Sequence, residues 1–535
     1  MVLKNKNIMK GRLSILFLIF IPIFFYSLTL RGYSGNLNTE KAMIDYTNGR
    51  IGEIALGPFE SSHETSPYVF MLSMLQNHTI SLPKGFADFG VPDIGYHNSK
   101  FYSFFPPGVP IIIMPLYIIG SYFNLGQLIS YLTIPLLAVG ILILLYLISF
   151  QIFGVSKALA LIPPLVFAFG STSWSYAITI YQHIPSVFLM LFSYYLVWRY
   201  SRGSPYGPYL AVLIWFCYGI SIFFDYPNAF LLAPVILYFF IISFRLQPTG
   251  NQHTFSFRPV FLYSSIIFII IFGSLFYYNY KVFGDWKQLH NTLSMYTGDN
   301  LQTLQNNERM APVLAPDKIR RLMIFKENNL LLGIRVLLFS KERGLLYYSP
   351  IYILCLLGLY LGRKKMNIHT MTIVGLILMN LVLYASQTDT LGGRAFGPRY
   401  IIPMMAALSL FVPYIFTNTR TLFYKIIFLV FYIFSSAIAL GGALTSNMLR
   451  KADESISLGL PYDYGYNFNL LVQNKSGSFI YNNFFIDDIS LVHYFFVIYG
   501  LLLVTVIFVL FILPRYEECD TADTEILGDT GDSPQ

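Results

Sequence analysis

The segment Gly108-Val-Pro-Ile-Ile-Ile-Met-Pro-Leu-Tyr-Ile-Ile-Gly-Ser-Tyr-Phe123 decides how this chain lies in a membrane. Counted as a span, it inverts every later loop against the positive-inside rule. Taken as an interfacial or re-entrant helix, it leaves those loops in agreement with the rule. Apolar stretches of spanning length surround it: Leu13–Leu30 before it, then Leu128–Ser149, Ala158–Ile178, Ile184–Val197, Tyr209–Phe224, Ala229–Phe244 and Val260–Tyr280. After a long polar interval come Leu345–Leu361, Met371–Ser386, Ile401–Phe416, Ile426–Leu440 and Ile489–Leu513. The expected fold is an all-α integral membrane protein of about twelve transmembrane helices, with a long first outer loop that carries interfacial helices.

Charge tests this arrangement. The short cytoplasmic loops then hold Lys157, Arg199 and Arg202, Arg245 and Arg258, Arg363-Lys364-Lys365, Arg420 and Lys425, and Arg515. Seven acids sit between Glu517 and Asp532, and every other Asp or Glu falls in or beside an outer segment. Both termini are therefore expected in the cytoplasm and the functional residues on the outer face of a cell membrane. The first apolar run follows Lys4, Lys6, Lys10 and Arg12 without a small-residue cleavage site, so it reads as a retained helix.

Composition agrees. With 55% hydrophobic and 12% charged residues, the 535-residue chain is too apolar for a soluble multidomain protein. Its net charge of +8 reports the loop bias, so nucleic acid is not an expected partner. Cys217, Cys355 and Cys519 form no disulfide or zinc framework, and no acid or histidine cluster has metal-site spacing. No cofactor and no metal are expected.

The expected organisation is a transmembrane module over 1–443, a further outer loop and last helix over 444–513, and a disordered acidic tail over 514–535. Within the module, 31–107 forms the first outer loop and 281–344 a second long one, whose end Asn329–Ser340 is amphipathic enough to lie on the membrane surface. Asn77-His78-Thr79 and Asn474-Lys475-Ser476 are glycosylation sequons that occur often by chance.

The first outer segment carries the strongest chemical signal. His63-Glu64-Thr65-Ser66-Pro67-Tyr68 opens an amphipathic stretch. Asp93-Ile-Gly-Tyr-His97-Asn-Ser-Lys100-Phe-Tyr102-Ser103-Phe-Phe105-Pro106-Pro107-Gly108 then brings the chain back towards it. An acid at the start of a short helix, beside a Pro-Pro-Gly turn, suits a general base within reach of an attacking hydroxyl. Most loop acids are simply solvated, and spacing alone leaves both readings open.

The acid-Thr-x-x-Tyr stretch and Tyr102-Ser103-x-x-Pro106-Pro107-Gly108 resemble the GT-C superfamily of polyprenyl-phosphate-sugar-dependent glycosyltransferases. The members they resemble are akin to protein O-mannosyltransferases and lipid A aminoarabinose transferase. The resemblance continues through Gly170-Ser-Thr172-Ser-Trp174-Ser-Tyr176 with His183, Phe224-Asp225-Tyr226-Pro227, Tyr278-Asn279-Tyr280-x-x-Phe283-Gly284 and Gly344-Leu-Leu-Tyr-Tyr-Ser349-Pro350. Its most specific later match is Gly392-Gly393-Arg394-Ala-Phe396-Gly397-Pro398-Arg399-Tyr400.

This resemblance implies transfer of a sugar from a polyprenyl-phosphate donor to a glycan, lipid or protein acceptor beside membrane lipid, with inversion at the anomeric carbon. It places the catalytic acid at Glu64, with Asp45 or Asp93 as the fallback. Two features depart from the family pattern. His63 stands where many relatives have a second acid, and Phe105 stands where many have a phosphate-binding Lys. Lys100, Arg394 and Arg399 are the candidate replacements, since a guanidinium can hold two phosphate oxygens at once. Tyr68, His97, Tyr102, His183, Asp225 and Tyr400 complete the candidate binding residues. An ionisable group at a helix end can also simply reach interfacial water, which is the alternative for His183 and Asp225. A transporter or flippase of a lipid-linked sugar is the rival function, although such proteins concentrate ionisable groups near the bilayer midplane. A non-catalytic member of the family is the third reading.

Overall fold

A computed structural model describes residues 2–49, 56–249, 252–306, 330–387, 391–418, 422–449, 457, 459 and 462–513. The acidic tail expected at 514–535 lies outside the described residues. The protein is a predominantly helical membrane protein. Among the described residues six helices are long and apolar enough to cross a bilayer: Gly126–Gln151, Val260–Phe283, Ile368–Ala385, Arg399–Phe416, Leu422–Leu444 and Leu491–Ile512. Shorter apolar helices accompany them, including Gly108–Ser121, Gly207–Ile222 and Asn228–Ser243. The 14-residue helix Gly108–Ser121 rises ~21 Å, short of a ~30 Å hydrocarbon core. Past it the chain turns through Asn124, at φ 56°, into Gly126–Gln151.

The expected continuous span Ala158–Ile178 is broken. Helix ends at Phe169 and resumes only for Ser173–Ala177. The Ser171 and Ser173 hydroxyls both donate to the Phe167 carbonyl, at 2.6 and 2.5 Å, taking the acceptor that a continuing helix would use. The break carries Trp174 to the top of the first helix, α1 (Val2–Thr29), where its indole donates to Thr29 Oγ1 at 3.0 Å.

The long segments between the apolar helices hold the structure that the helical periodicity did not foretell. The first forms α2 (Glu40–Asn48), α3 (Ser62–Gln76), α4 (Lys84–Gly90) and an antiparallel hairpin, β1 (Ile94–His97) with β2 (Lys100–Ser103). Asn98 and Ser99 turn the hairpin, both at positive φ (49° and 60°), as a two-residue primed turn requires. A second hairpin, β3 (Phe244–Thr249) with β4 (Gln252–Phe257), lies between two spans. The segment after the helix Val260–Phe283 then contributes β5 (Ser294–Tyr296), which pairs with β1 so that Ile94 faces Tyr296. The order β2-β1-β5 joins the two long segments into one layer.

Glycine closes that layer onto the helices at one decisive point. The Gly108 amide donates to the Phe223 carbonyl at 2.8 Å. A Cβ on Gly108 would fall inside contact distance of that same carbonyl, so no larger residue fits the turn. The Pro-Pro-Gly turn is thus held against the corner that carries Asp225. The end of the second segment, helix Leu330–Phe339, packs Gly333 against the Ala385 backbone while Leu331, Leu332 and Phe339 stay exposed.

Candidate active site

Helix α3 begins with a capping box. The Ser61 hydroxyl accepts from the His63 amide at 3.1 Å, and Glu64 Oε2 accepts from the Ser61 amide at 3.2 Å. Glu64 is fully buried. Its Oε1 also accepts from the Thr179 hydroxyl and from Asn447 Nδ2, the latter at 3.1 Å. Burial pushes its carboxyl up to about 7 against the pull of Arg31 and these donors. One turn earlier Glu60 forms a buried ion pair with Arg31, which caps the top of the first span and also donates to the Gly442 carbonyl. Glu60 Oε2 accepts from the Ser446 hydroxyl and the Asn447 amide, at 2.7 and 3.0 Å. Asn447 therefore bridges both glutamates and ties the chain after the helix Leu422–Leu444 to α3.

His63, beside Glu64, points elsewhere. Its Nδ1 lies 2.9 Å from Asp93 Oδ2, and the Ser62 hydroxyl donates to the same oxygen at 2.6 Å. The two side chains are 22% and 21% exposed, so this pair is partly accessible where Glu64 is not. Burial and the Arg399 charge pull the His63 imidazole below its ordinary value, against Asp93. Burial alone would raise Asp93, but His63, its hydrogen bonds and Arg399 together hold it below the usual carboxylate range. A neutral His63 donates from Nδ1 to Asp93 and keeps Nε2 as a basic lone pair. The ring packs on Phe105 at 4.8 Å and stacks on Tyr181 at 5.7 Å.

From Tyr181 the site extends through rings. Tyr181 stacks on His183 at 6.1 Å, His183 meets Tyr400 edge-on at 6.2 Å, and Tyr400 stacks on Tyr384 at 4.9 Å. Tyr384 donates to Asp225 Oδ2 at 3.4 Å. Burial pushes the Asp225 carboxyl up to about 7, opposed by Tyr384 and Arg399. Arg399 stands among these rings, its guanidinium 5.2 Å from the Tyr400 centroid and 6.0 Å from that of Tyr181. Arg399 is only 6% exposed, its Nε lacks a hydrogen-bond partner, and the buried His183 Nε2 lacks one too. Among the described residues no carboxylate lies within ion-pair distance of Arg399.

The structure thus brings Asp93, His183, Asp225, Arg399 and Tyr400 together, with Glu64 buried behind them. Other candidates stand apart. Asp45 is exposed on α2 and Lys100 is exposed at the hairpin turn. Tyr68 is buried and donates to the Asn36 carbonyl at 2.6 Å. His97 Nε2 donates to the Phe283 carbonyl at 2.9 Å and Tyr102 to the Val282 carbonyl at 3.4 Å, so both secure the hairpin to the end of the Val260–Phe283 helix. Arg394 is exposed, and its carbonyl accepts from the Leu449 amide at 2.6 Å. His63, Tyr181 and Tyr384 join the site although the sequence singled out none of them as a ligand. The signal for His63 was its place beside Glu64. Tyr181 and Tyr384 lie in aromatic-rich apolar surroundings that give no signal.

No family model matches this sequence, and no curated protein does. Among solved structures the chain is similar to ArnT from Cupriavidus metallidurans bound to undecaprenyl phosphate. That likeness has 11% identity and a TM-score of 0.47, and covers 92% of this chain and 77% of that one. It is also similar to the archaeal oligosaccharyltransferase AglB from Archaeoglobus fulgidus in complex with an inhibitory peptide and a dolichol-phosphate. There the identity is 13% and the TM-score 0.39, over 80% of this chain. The chain spans 55% of the length of that archaeal protein.

Proposed function

We propose that this chain is a membrane glycosyltransferase that moves a sugar from a polyprenyl-phosphate donor to an acceptor at the outer face. The observation that carries this reading is Arg399, a buried guanidinium with no carboxylate partner among the described residues. A buried unpaired cation is costly, and a phosphate is the anion whose geometry a guanidinium fork matches. The resemblance of the outer-loop motifs to GT-C enzymes points to the same ligand.

The chemistry follows from the neighbouring pair. His63 Nε2 takes the proton of the acceptor nucleophile, while Asp93 holds the ring through Nδ1 and stabilises the imidazolium that forms. The acceptor atom bonds to the anomeric carbon as the carbon–oxygen bond to the phosphate breaks. The phosphate leaves with that electron pair, and Arg399 stabilises the charge as it develops. A single displacement inverts the anomeric centre. Asp225, which is partly exposed, contacts sugar or acceptor hydroxyls, and the buried His183 supports the rings of Tyr181 and Tyr400 around Arg399. Glu64, with both oxygens engaged and no exposed surface, holds the start of α3 and does not touch the acceptor.

The test uses purified protein in liposomes. Undecaprenyl phosphate should bind at least tenfold more tightly than undecaprenol, and Arg399→Gln should abolish that difference. Undecaprenyl-phosphate-linked mannose, glucose and galactose, labelled in the sugar, are then offered with extracts of the native membrane as acceptor. Transfer from one of them should fall ~10²-fold or more in Asp93→Asn, which presents the wrong tautomer to His63. Equal binding of phosphate and alcohol, or transfer indifferent to both substitutions, would sink the reading.

A further inference from the structure

A chain of buried hydrogen bonds reaches the His63–Asp93 pair from the second outer segment. His290 is fully buried, and its Nδ1 lies 2.7 Å from the Ser103 carbonyl oxygen. A carbonyl only accepts, so Nδ1 carries the proton and Nε2 accepts from the Tyr278 hydroxyl at 2.9 Å. Burial holds His290 well below its ordinary value, at about 4, so the single-donor tautomer persists at neutral pH.

The next links follow by the same accounting. The Ser66 hydroxyl donates to the Asp93 carbonyl at 2.8 Å, which spends its proton. The 2.8 Å contact between the Ser66 and Ser103 hydroxyls must then be a donation from Ser103. Ser103 Oγ in turn accepts from the Phe105 amide at 3.1 Å, and Phe105 is the ring on which His63 packs. The Asp93 carbonyl also takes the Phe104 amide at 3.0 Å, and β5 pairs with β1 directly after Asp93.

We propose that His290 is a positioning residue, which holds Asp93 and Phe105 through Ser103 and Ser66 and so sets the geometry of the His63–Asp93 pair. The inference rests on the acid–base reading of that pair. The beginning of the second outer segment is then part of the site's framework and not a spacer. His290 touches no substrate and acts only through the hairpin.

The experiment compares His290→Leu with His290→Asn, whose amide can donate near the place of Nδ1. With whichever labelled undecaprenyl-phosphate sugar the wild type turns over, His290→Leu should lose at least tenfold in kcat, because small misplacements at a reacting pair are expensive. Its donor KM should stay within twofold, since Arg399 is untouched. His290→Asn should recover kcat to within threefold of wild type. Ser103→Ala should match His290→Leu, with little added loss in the double variant. Hydrogen exchange of residues 93–105, followed by mass spectrometry, should quicken at least fivefold in His290→Leu and not in His290→Asn. Unchanged exchange, or equal kcat loss in both His290 variants, would overturn the positioning role. A wild type that turns over none of the donors overturns the glycosyltransferase reading instead, and the exchange comparison then decides the role of His290 by itself.

Discussion

His63 Nδ1 and Asp93 Oδ2 stand 2.9 Å apart, although thirty positions of sequence separate the two residues and one lies on a helix, the other before a strand. Three charged or titrating groups meet there. Arg399 lowers both members, Asp93 raises His63, and burial lowers His63. The pair's protonation is therefore set by opposing neighbours that can be removed one at a time.

Histidine NMR on protein labelled at the imidazole carbon should show His63 titrating below its ordinary 6.5. Arg399→Gln should move that titration to higher pH, because a repelling cation is lost. Asp93→Asn should move it lower, because the attracting carboxylate is lost. Transfer should accordingly fall as pH drops through the His63 transition. Shifts of the same sign in both variants would show that His63 does not lie between these charges.

Glu64 allows a stability test with a definite sign. Its carboxyl is pushed from 4.5 to about 7 in the folded protein, chiefly by burial. A group whose folded value is raised contributes stability that is complete below its unfolded value and is lost as pH rises through the folded one. Between pH 4.5 and pH 8 the wild type should therefore lose stability, by up to about 3 kcal/mol, relative to a non-titrating variant. Glu64→Gln should be less stable than wild type at pH 5, where its amide meets the Ser61 N–H donor to donor. The gap should narrow by pH 8.5 in thermal melts in detergent. A gap that widens with pH would mean that Glu64 is ionised in the folded protein.

How much of this was readable from sequence depends on what each residue had to reveal. The helical, membrane-spanning character was legible because a bilayer imposes the length of its apolar helices directly, and six helices meet that length among the described residues. Asp93, Asp225, Arg399 and Tyr400, each singled out in the sequence, lie close together in the structure. The hairpin was carried only by Asn98-Ser99 between short alternating runs, a weak signal beside so many apolar helices. Which acid would stay partly accessible was not legible. Glu64 and Asp93 look alike in sequence, and only the Ser61 capping box, Thr179 and Asn447 bury one of them. The structural part played by 281–344 was not legible, because strand β5 has three residues and His290 sits alone.

The Arg31–Glu60 pair predicts an asymmetry. Both side chains are almost wholly buried, so removing one strands the charge of the other. Arg31→Met alone should cost about 3–5 kcal/mol, whereas Arg31→Met with Glu60→Met should recover much of that loss. Melting temperatures of the two single variants and the double variant test this. Additive losses would mean that the pair is more hydrated than its burial implies.

Gly108 gives the sharpest steric prediction. Any Cβ there would collide with the Phe223 carbonyl, and that carbonyl cannot retreat without giving up the bond it accepts from the Gly108 amide. Gly108→Ala should thus displace the Pro106-Pro107 turn from the Asp225 corner, at a cost of about 1–3 kcal/mol in stability. Because Phe105 precedes the turn and packs on His63, transfer should fall by more than stability alone explains. Gly273 is the control, since a Cβ there meets nothing within 4 Å inside the helix Val260–Phe283. Gly273→Ala should be neutral or stabilising by up to about 1 kcal/mol. Melting and undecaprenyl phosphate binding, measured on both variants, separate local collision from a general intolerance of substitution. If Gly108→Ala melts and binds like Gly273→Ala, the close approach of Phe223 does not hold the turn in place.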